Sequence, residues 1–315
     1  MKNGFIIFCC WLCSFASNVS DTSKLSDTLP FIVVLGIAQD AGYPQIGCSK
    51  TCCSAAWKDR SKQRFVTSLA LADPSTHQWW LLDATPDIKE QLQLFQQLTH
   101  SQFSFLPTAI FLTHAHIGHY TGLMQLGRES MNEQNVPVYA LPRMLQYLNN
   151  NGPWSLLVQL KNILLQSMQV NEAVVLNAHL KLRPFLVPHR DEFSETAGFE
   201  IEYGEKKVLF IPDIDKWKKF DKKIDSMVRE TEFSFLDGTF YKDGELEGRS
   251  MSEVPHPFIT ESMQQFQSLS QAEKKKIYFI HFNHTNPLLN ESSTEYKKLN
   301  QVFHTAKQGG VYRLE

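Results

Sequence analysis

The hexapeptide His114-Ala115-His116-Ile117-Gly118-His119 constrains this chain more than any other stretch. It follows directly on Thr108-Ala109-Ile110-Phe111-Leu112-Thr113, an apolar run that reads as a buried strand. Imidazoles two apart at a strand end point the same way. A third, three residues on, swings in if the chain turns into a helix, and Tyr120-Thr121-Gly122-Leu123-Met124 reads as such a start. Three of the 11 histidines therefore sit where one ion could be shared. Histidine is the usual ligand for zinc and for non-haem iron.

The rest of the chain alternates strands and helices. Apolar, β-rich runs predict strands over residues 31–36, 68–72, 78–83, 136–140, 180–188, 199–203, 207–212 and 276–280. Apolar spacing predicts helices over 87–98, over 144–168 around Asn151-Gly152-Pro153, over 260–269 and over 293–305. Strands followed by helices appear in the first half and recur in the second. Two sheets with outer helices fit this better than one doubly wound sheet. A net charge of −2 with 43% hydrophobic residues excludes a disordered chain and a nucleic-acid binder driven by bulk positive charge. A small-molecule substrate is the expected partner.

At the start, Lys2 precedes the apolar run Phe5–Cys13 and the small residues Ser14 and Ala16. That order reads as a secretory signal over 1–16, with an uncleaved membrane anchor as the competing reading of a run short for a membrane-spanning helix. Residues 17–30 form a solvated lead-in, and 31–315 a single domain. The expectation is an exported protein, periplasmic or secreted, with no stable membrane insertion once the signal is removed. Three of the six cysteines fall in the leader. The others, Cys48, Cys52 and Cys53, form an odd cluster that is a poor disulfide framework and a metal-site signal. The competing reading is one free thiol beside a strained or intermolecular disulfide.

The segment Thr113–His119 resembles the His-x-His-x-Asp-His signature of the metallo-β-lactamase fold superfamily. The chain is similar to the branch that holds pyrroloquinoline quinone biosynthesis protein B. The segments that carry this are Leu35-Gly36 through Pro44-Gln45, the cysteine cluster, Leu82–Ile88, Val187–Arg190, Leu236–Phe240 and His281–Pro287, in family order. The resemblance implies an α/β, four-layer αββα sandwich. It places His114, His116 and His189 at a first metal position and His119 and His281 at a second. Asp213 bridges the two, with Asp215 as the substitute, and Asp83 orients the histidine loop. It also gives Cys48, Cys52 and Cys53 a fourth partner, His284, in a structural zinc site of the kind the related cyclic ribosyl phosphate phosphodiesterases imply.

Gly118 stands where the signature has Asp. The active site is then expected to hold one ion, or two with water or substrate completing the second, with zinc as the cofactor and iron or manganese as alternatives. The first functional expectation is a metal-dependent hydrolase that attacks an ester or phosphodiester with a metal-activated water. There Asp213 takes a proton, and His256, in Pro255-His256-Pro257, protonates the leaving group or holds an oxyanion. Asp40 lines the pocket. The alternatives are an iron-dependent oxidoreductase like the biosynthesis branch, and a metal-binding protein without turnover.

Overall fold

The computed structural model describes residues 28–315 apart from 247 and 249, so the expected signal and most of the lead-in lie outside the described residues. The described residues form two seven-stranded sheets packed face to face. The first contains β1 (Phe31–Gly36), β2 (Ser68–Asp73), β3 (Gln78–Leu82), β4 (Ala109–Phe111), β5 (Val136–Ala140) and β6 (Ile163–Ser167). The second contains β7 (Val174–Val175), β8 (Leu180–Leu186), β9 (Ala197–Tyr203), β10 (Lys206–Ile211), β11 (Phe233–Asp237), β12 (Ile277–Ile280) and β13 (His304–Thr305). From the chain end, β14 (Val311–Arg313) returns to pair antiparallel with β1. Each sheet begins with antiparallel strands and continues with parallel ones: β3 to β6 in the first and β10 to β13 in the second.

Strands β1 to β4 of the first sheet are buried on both faces, apart from Gln78 at the start of β3, and their residues divide with the period of two that a pleat imposes. Phe31, Val33 and Leu35 join Trp79, Leu81 and Ile110 on one side. Ile32 and Val34 join Leu69, Leu71, Trp80, Leu82 and Phe111 on the other, in the core shared with the second sheet. Helices cover the outer faces. Ile88, Leu92 and Phe95, on the helix Ile88–Leu98, pack on the first sheet with Met144 and Leu148. Trp79 of β3 stacks on Phe95 with ring centroids 4.1 Å apart. Ile224, Val228, Ile259 and Leu299 belong to the core beneath the second sheet. The result is the four-layer αββα sandwich.

Two expected helices are shorter than their apolar pattern. The stretch 144–168 breaks into helices Pro142–Asn150 and Trp154–Gln159 and then the strand β6, which pairs in parallel with β5. The helix expected over 293–305 stops at Leu299. There the Asn300 side chain accepts from the Thr305 amide and donates to the Thr305 hydroxyl, holding the last residues as an edge strand on β12. No helix among the described residues is long and apolar enough to cross a membrane.

Candidate metal centre

The parallel strands of both sheets end at one rim of the sandwich, and the chemistry-bearing residues lie just past those ends. Asp83 follows β3, the histidine hexapeptide follows β4, His189 follows β8, Asp213 follows β10, Asp237 closes β11 and His281 follows β12. Carboxyl ends of parallel strands are the usual place for a ligand in α/β proteins. Asp83 and His281 both have left-handed backbones, with φ of 66° and 67°. This conformation costs an L-residue about 1–2 kcal/mol and is held here by the surrounding structure.

The first group of donors is His114, His116, His189 and Asp213. Asp213 Oδ2 lies 3.3 Å from His114 Nε2, 3.2 Å from His189 Nε2 and 3.8 Å from His116 Nδ1. His116 Nδ1 is 2.9 Å from His114 Nε2 and 3.3 Å from His189 Nε2. Donors held tetrahedrally at about 2.0–2.1 Å from a zinc ion stand about 3.3–3.4 Å from one another, so the spacing suits one central cation. The second group is Asp40, His119 and His281, whose ligand atoms lie within 4.8 Å of one another. Asp213 Oδ2 is 3.9 Å from His119 Nε2, so one carboxylate faces both groups.

Each imidazole is turned to this centre by a partner on its other nitrogen. His119 Nδ1 is 2.7 Å from Asp83 Oδ2, and His189 Nδ1 is 3.2 Å from Asp215 Oδ1. The Thr113 hydroxyl donates to Asp83 and accepts from His114 Nδ1 at 2.9 Å. In the same way the Thr239 hydroxyl donates to Asp237 and accepts from His281 Nδ1 at 2.9 Å. Carboxylate- or hydroxyl-held Nδ1–H with a bare Nε2 is the usual state of a metal-ligating histidine. The bare atoms are sealed from water. Asp40 Oδ1, His119 Nε2, Asp213 Oδ1 and His281 Nε2 are buried without any hydrogen bond, whereas elsewhere among the described residues only Trp154 Nε1 and Asn162 Oδ1 are so placed. Folded proteins leave few such atoms. Three of the four belong to the one group of Asp40, His119 and His281, which fits a cation.

Protonation reflects the same crowding. Burial alone would lower the pKa of His119, but Asp83 and Asp40 push it up to about 10. Burial likewise works against His189, and Asp213 and Asp215 raise it to about 10. Burial and the neighbouring His119 hold His114 well below its ordinary value. Burial would raise Asp213, yet the charges of His189 and His256 hold its carboxyl well below the usual range. In the metal-free protein, imidazolium protons thus balance the carboxylates.

His256 belongs to this site. Its Nδ1 lies 2.8 Å from Asp237 Oδ2 and 3.1 Å from Asp213 Oδ1, and its single Nδ1 proton goes to Asp237. Burial would lower its pKa, but Asp237 and Asp213 raise it. Asp237 and Thr239 are the site residues that reading the sequence overlooked. The signal was present: Leu81-Leu82-Asp83 and Phe235-Leu236-Asp237 are both apolar strands closed by an aspartate. Asp215 Oδ1 lies against His189 Nδ1, while Asp213 Oδ2 lies near both donor groups. Asp40, expected on the pocket wall, is inside the second donor group.

The cysteines form a separate cluster. Cys52 and Cys53 sit in the first turn of the helix Thr51–Lys58 and Cys48 in the turn before it. Cys48 Sγ is 3.6 Å from Cys52 Sγ, and His284 Nδ1 is 3.6 Å from Cys52 Sγ and 3.3 Å from Cys53 Sγ. None of these three sulfurs is bonded to another. Two thiolates on one zinc at about 2.3 Å stand about 3.8 Å apart, which this set approaches. Burial pushes the Cys53 thiol up to about 12, so without a cation it stays protonated.

Comparison with known proteins agrees with this geometry. The Beta-lactamase superfamily domain profile matches residues 78–282. Coenzyme PQQ synthesis protein B of Methylorubrum extorquens is 27% identical over 289 residues, covering 84% of this chain and 93% of that protein. The Pseudomonas putida protein of the same name is 29% identical over 295 residues, with the same coverage. Zn2+-bound PqqB from Methylobacterium extorquens superposes with a TM-score of 0.75 at 24% identity, over 90% of this chain and 100% of that one. A diphosphatase of the PhnP family superposes with a TM-score of 0.63 at 22% identity, over 90% and 96%.

Proposed function

Because the chain belongs to the beta-lactamase superfamily, we propose that it is a metal-dependent hydrolase of an ester or phosphodiester. The observation that carries this reading is the convergence of His114, His116, His189 and Asp213 on one point, beside four buried polar atoms without hydrogen bonds. When bound there, a divalent ion such as zinc or manganese supplies an acidified water and polarises the bond to be broken. The protein's own residues do the rest. Thr113, Asp83, Asp215 and Thr239 hold the imidazoles in register. Asp213 spans the two donor groups and orients what binds between them. His256, whose Nδ1 is held by Asp237 and whose pKa is raised by Asp237 and Asp213, is the general acid for the leaving group. Access is from the side of His116, whose Nε2 faces the half-exposed Glu192 at 3.4 Å.

The Cys48, Cys52, Cys53 and His284 cluster is a structural zinc site in this reading, since a closed four-donor set leaves no position for substrate.

The test is turnover of chromogenic phosphodiesters and carboxylic esters by protein loaded with zinc or manganese. Turnover that a chelator abolishes and added metal restores supports the reading. A second reading, an iron-dependent oxidoreductase, is favoured by likeness to the PQQ synthesis proteins over almost their whole length. Iron in protein purified without added metal, with dioxygen consumption and no hydrolysis, would replace the first reading by the second. Tight metal binding with neither activity would leave a metal-binding protein without turnover.

A further inference from the structure

Gly118 occupies the place where the superfamily signature carries a carboxylate, and the loop after β1 brings a carboxylate back into that space. A Cβ built on Gly118 would stand 2.3 Å from Asp40 Oδ1 and 2.7 Å from Asp40 Cα. Those are distances that atoms not bonded to each other do not reach. The room of a side chain at 118 is therefore filled by residue 40.

We propose that Asp40 is a ligand of the second metal position, completing with His119 and His281 a site for a divalent first-row metal ion. This deepens the metal-dependent reading and rests on it. Asp40 Oδ1 is 3.5 Å from His119 Nε2. All three ligand atoms are buried, aimed at a common point and free of hydrogen bonds. Both imidazoles are fully buried. The backbone around Asp40 is pinned to the segment that carries His281. The Phe282 amide donates to Ile37 O at 2.7 Å, the Gln39 amide donates to Phe282 O at 2.9 Å, and Asn283 Nδ2 donates to Gln39 Oε1 at 2.6 Å. Asp40 is thus positioned before any ion arrives. Gly118 is then a requirement of the site, because any side chain there would displace the carboxylate that serves it. Two imidazoles and one carboxylate, with the Asp213 oxygen nearby, leave positions open for water or substrate. That donor set suits zinc, manganese or iron.

The experiment measures ions per chain. Metal-free full-length protein is titrated with zinc and, separately, manganese, freed of unbound metal and analysed for elemental content. Wild type is compared with Asp40→Asn, which keeps the shape, and Asp40→Ala, which removes the group; melting of the metal-free proteins checks that each is folded. The proposal expects the variants to hold about one ion fewer per chain than wild type, or to bind the last ion at least about tenfold more weakly, with the remaining ions unaffected. Two outcomes overturn it: folded Asp40→Asn and Asp40→Ala with wild-type stoichiometry and affinity, or a wild type that takes one ion only at the histidines. A wild type that takes no ion at the histidines sinks the metal-dependent reading itself, which is a different result.

Discussion

At the scale of single residues, the centre is a set of donors that each need a second group to face the right way. His116 is the ligand that offers Nδ1 in place of Nε2, and its ring is partly open to solvent. His116→Ala should abolish turnover and lower the metal content by about one ion per chain, because a three-donor remnant binds far more weakly. Unchanged content by elemental analysis would remove His116 from the ligand set. Asp237 holds Thr239 and His256. Asp237→Asn should weaken metal affinity by about 10- to 100-fold while the fold persists, read by competition with a chromophoric chelator. An affinity equal to wild type would make Asp237 merely structural. His114, His116 and His119 stand out in the sequence because histidines crowded after an apolar strand are rare, whereas His189, Asp213 and His281 came only with the family resemblance. Of the partners that aim them, Asp83 came with the family resemblance, whereas Asp237 and Thr239 were missed. Asp237 and Thr239 look like any strand end and turn, and only the folded arrangement brings Thr239 to His281, 42 residues away.

At the scale of elements, strands buried on both faces were the easiest to read: β1, β2 and β3 are short runs whose polar residues, Ser68, Asp73 and Gln78, stand only at their ends. Edge strands were hard. Only Ile163 of β6 is buried, and the apolar spacing of this strand after a helix passes for a continuation of that helix. Local pattern cannot decide such a case, because pairing with β5 does. The helix Ile88–Leu98 is tied to β3 by the Phe95–Trp79 stack. Phe95→Ala should cost about 3–5 kcal/mol in chemical denaturation and leave metal content unchanged. A loss below about 1 kcal/mol would mean that the outer helix contributes little. The helix Thr51–Lys58 gains its anchorage from Cys52 and Cys53 in its first turn. Cys52→Ser should lower the melting temperature by about 10 °C and release one zinc while the histidine site stays loaded. A loss of turnover with unaltered melting would assign the cysteines to catalysis.

At the scale of the whole molecule, the two sheets meet so that donors from both converge at one rim. The first sheet contributes Asp83, Asp40 and the histidine hexapeptide; the second contributes His189, Asp213, Asp237 and His281. Both halves use the same device, a strand-end aspartate that grips a threonine hydroxyl and a histidine: Asp83 with Thr113 and His119, Asp237 with Thr239 and His256. A cation at the rim joins the sheets, so chelation should lower the melting temperature of the intact protein and added zinc should restore it. Melting that is indifferent to chelator would show that the sheets hold together without metal. The most direct test is anomalous diffraction at the zinc absorption edge from crystals grown with the metal. Two peaks about 3.5–4 Å apart are expected, one among His114, His116, His189 and Asp213 and one among Asp40, His119 and His281, with a third at Cys48, Cys52, Cys53 and His284. Anomalous density at the cysteines and none at the histidines would contradict the metal centre.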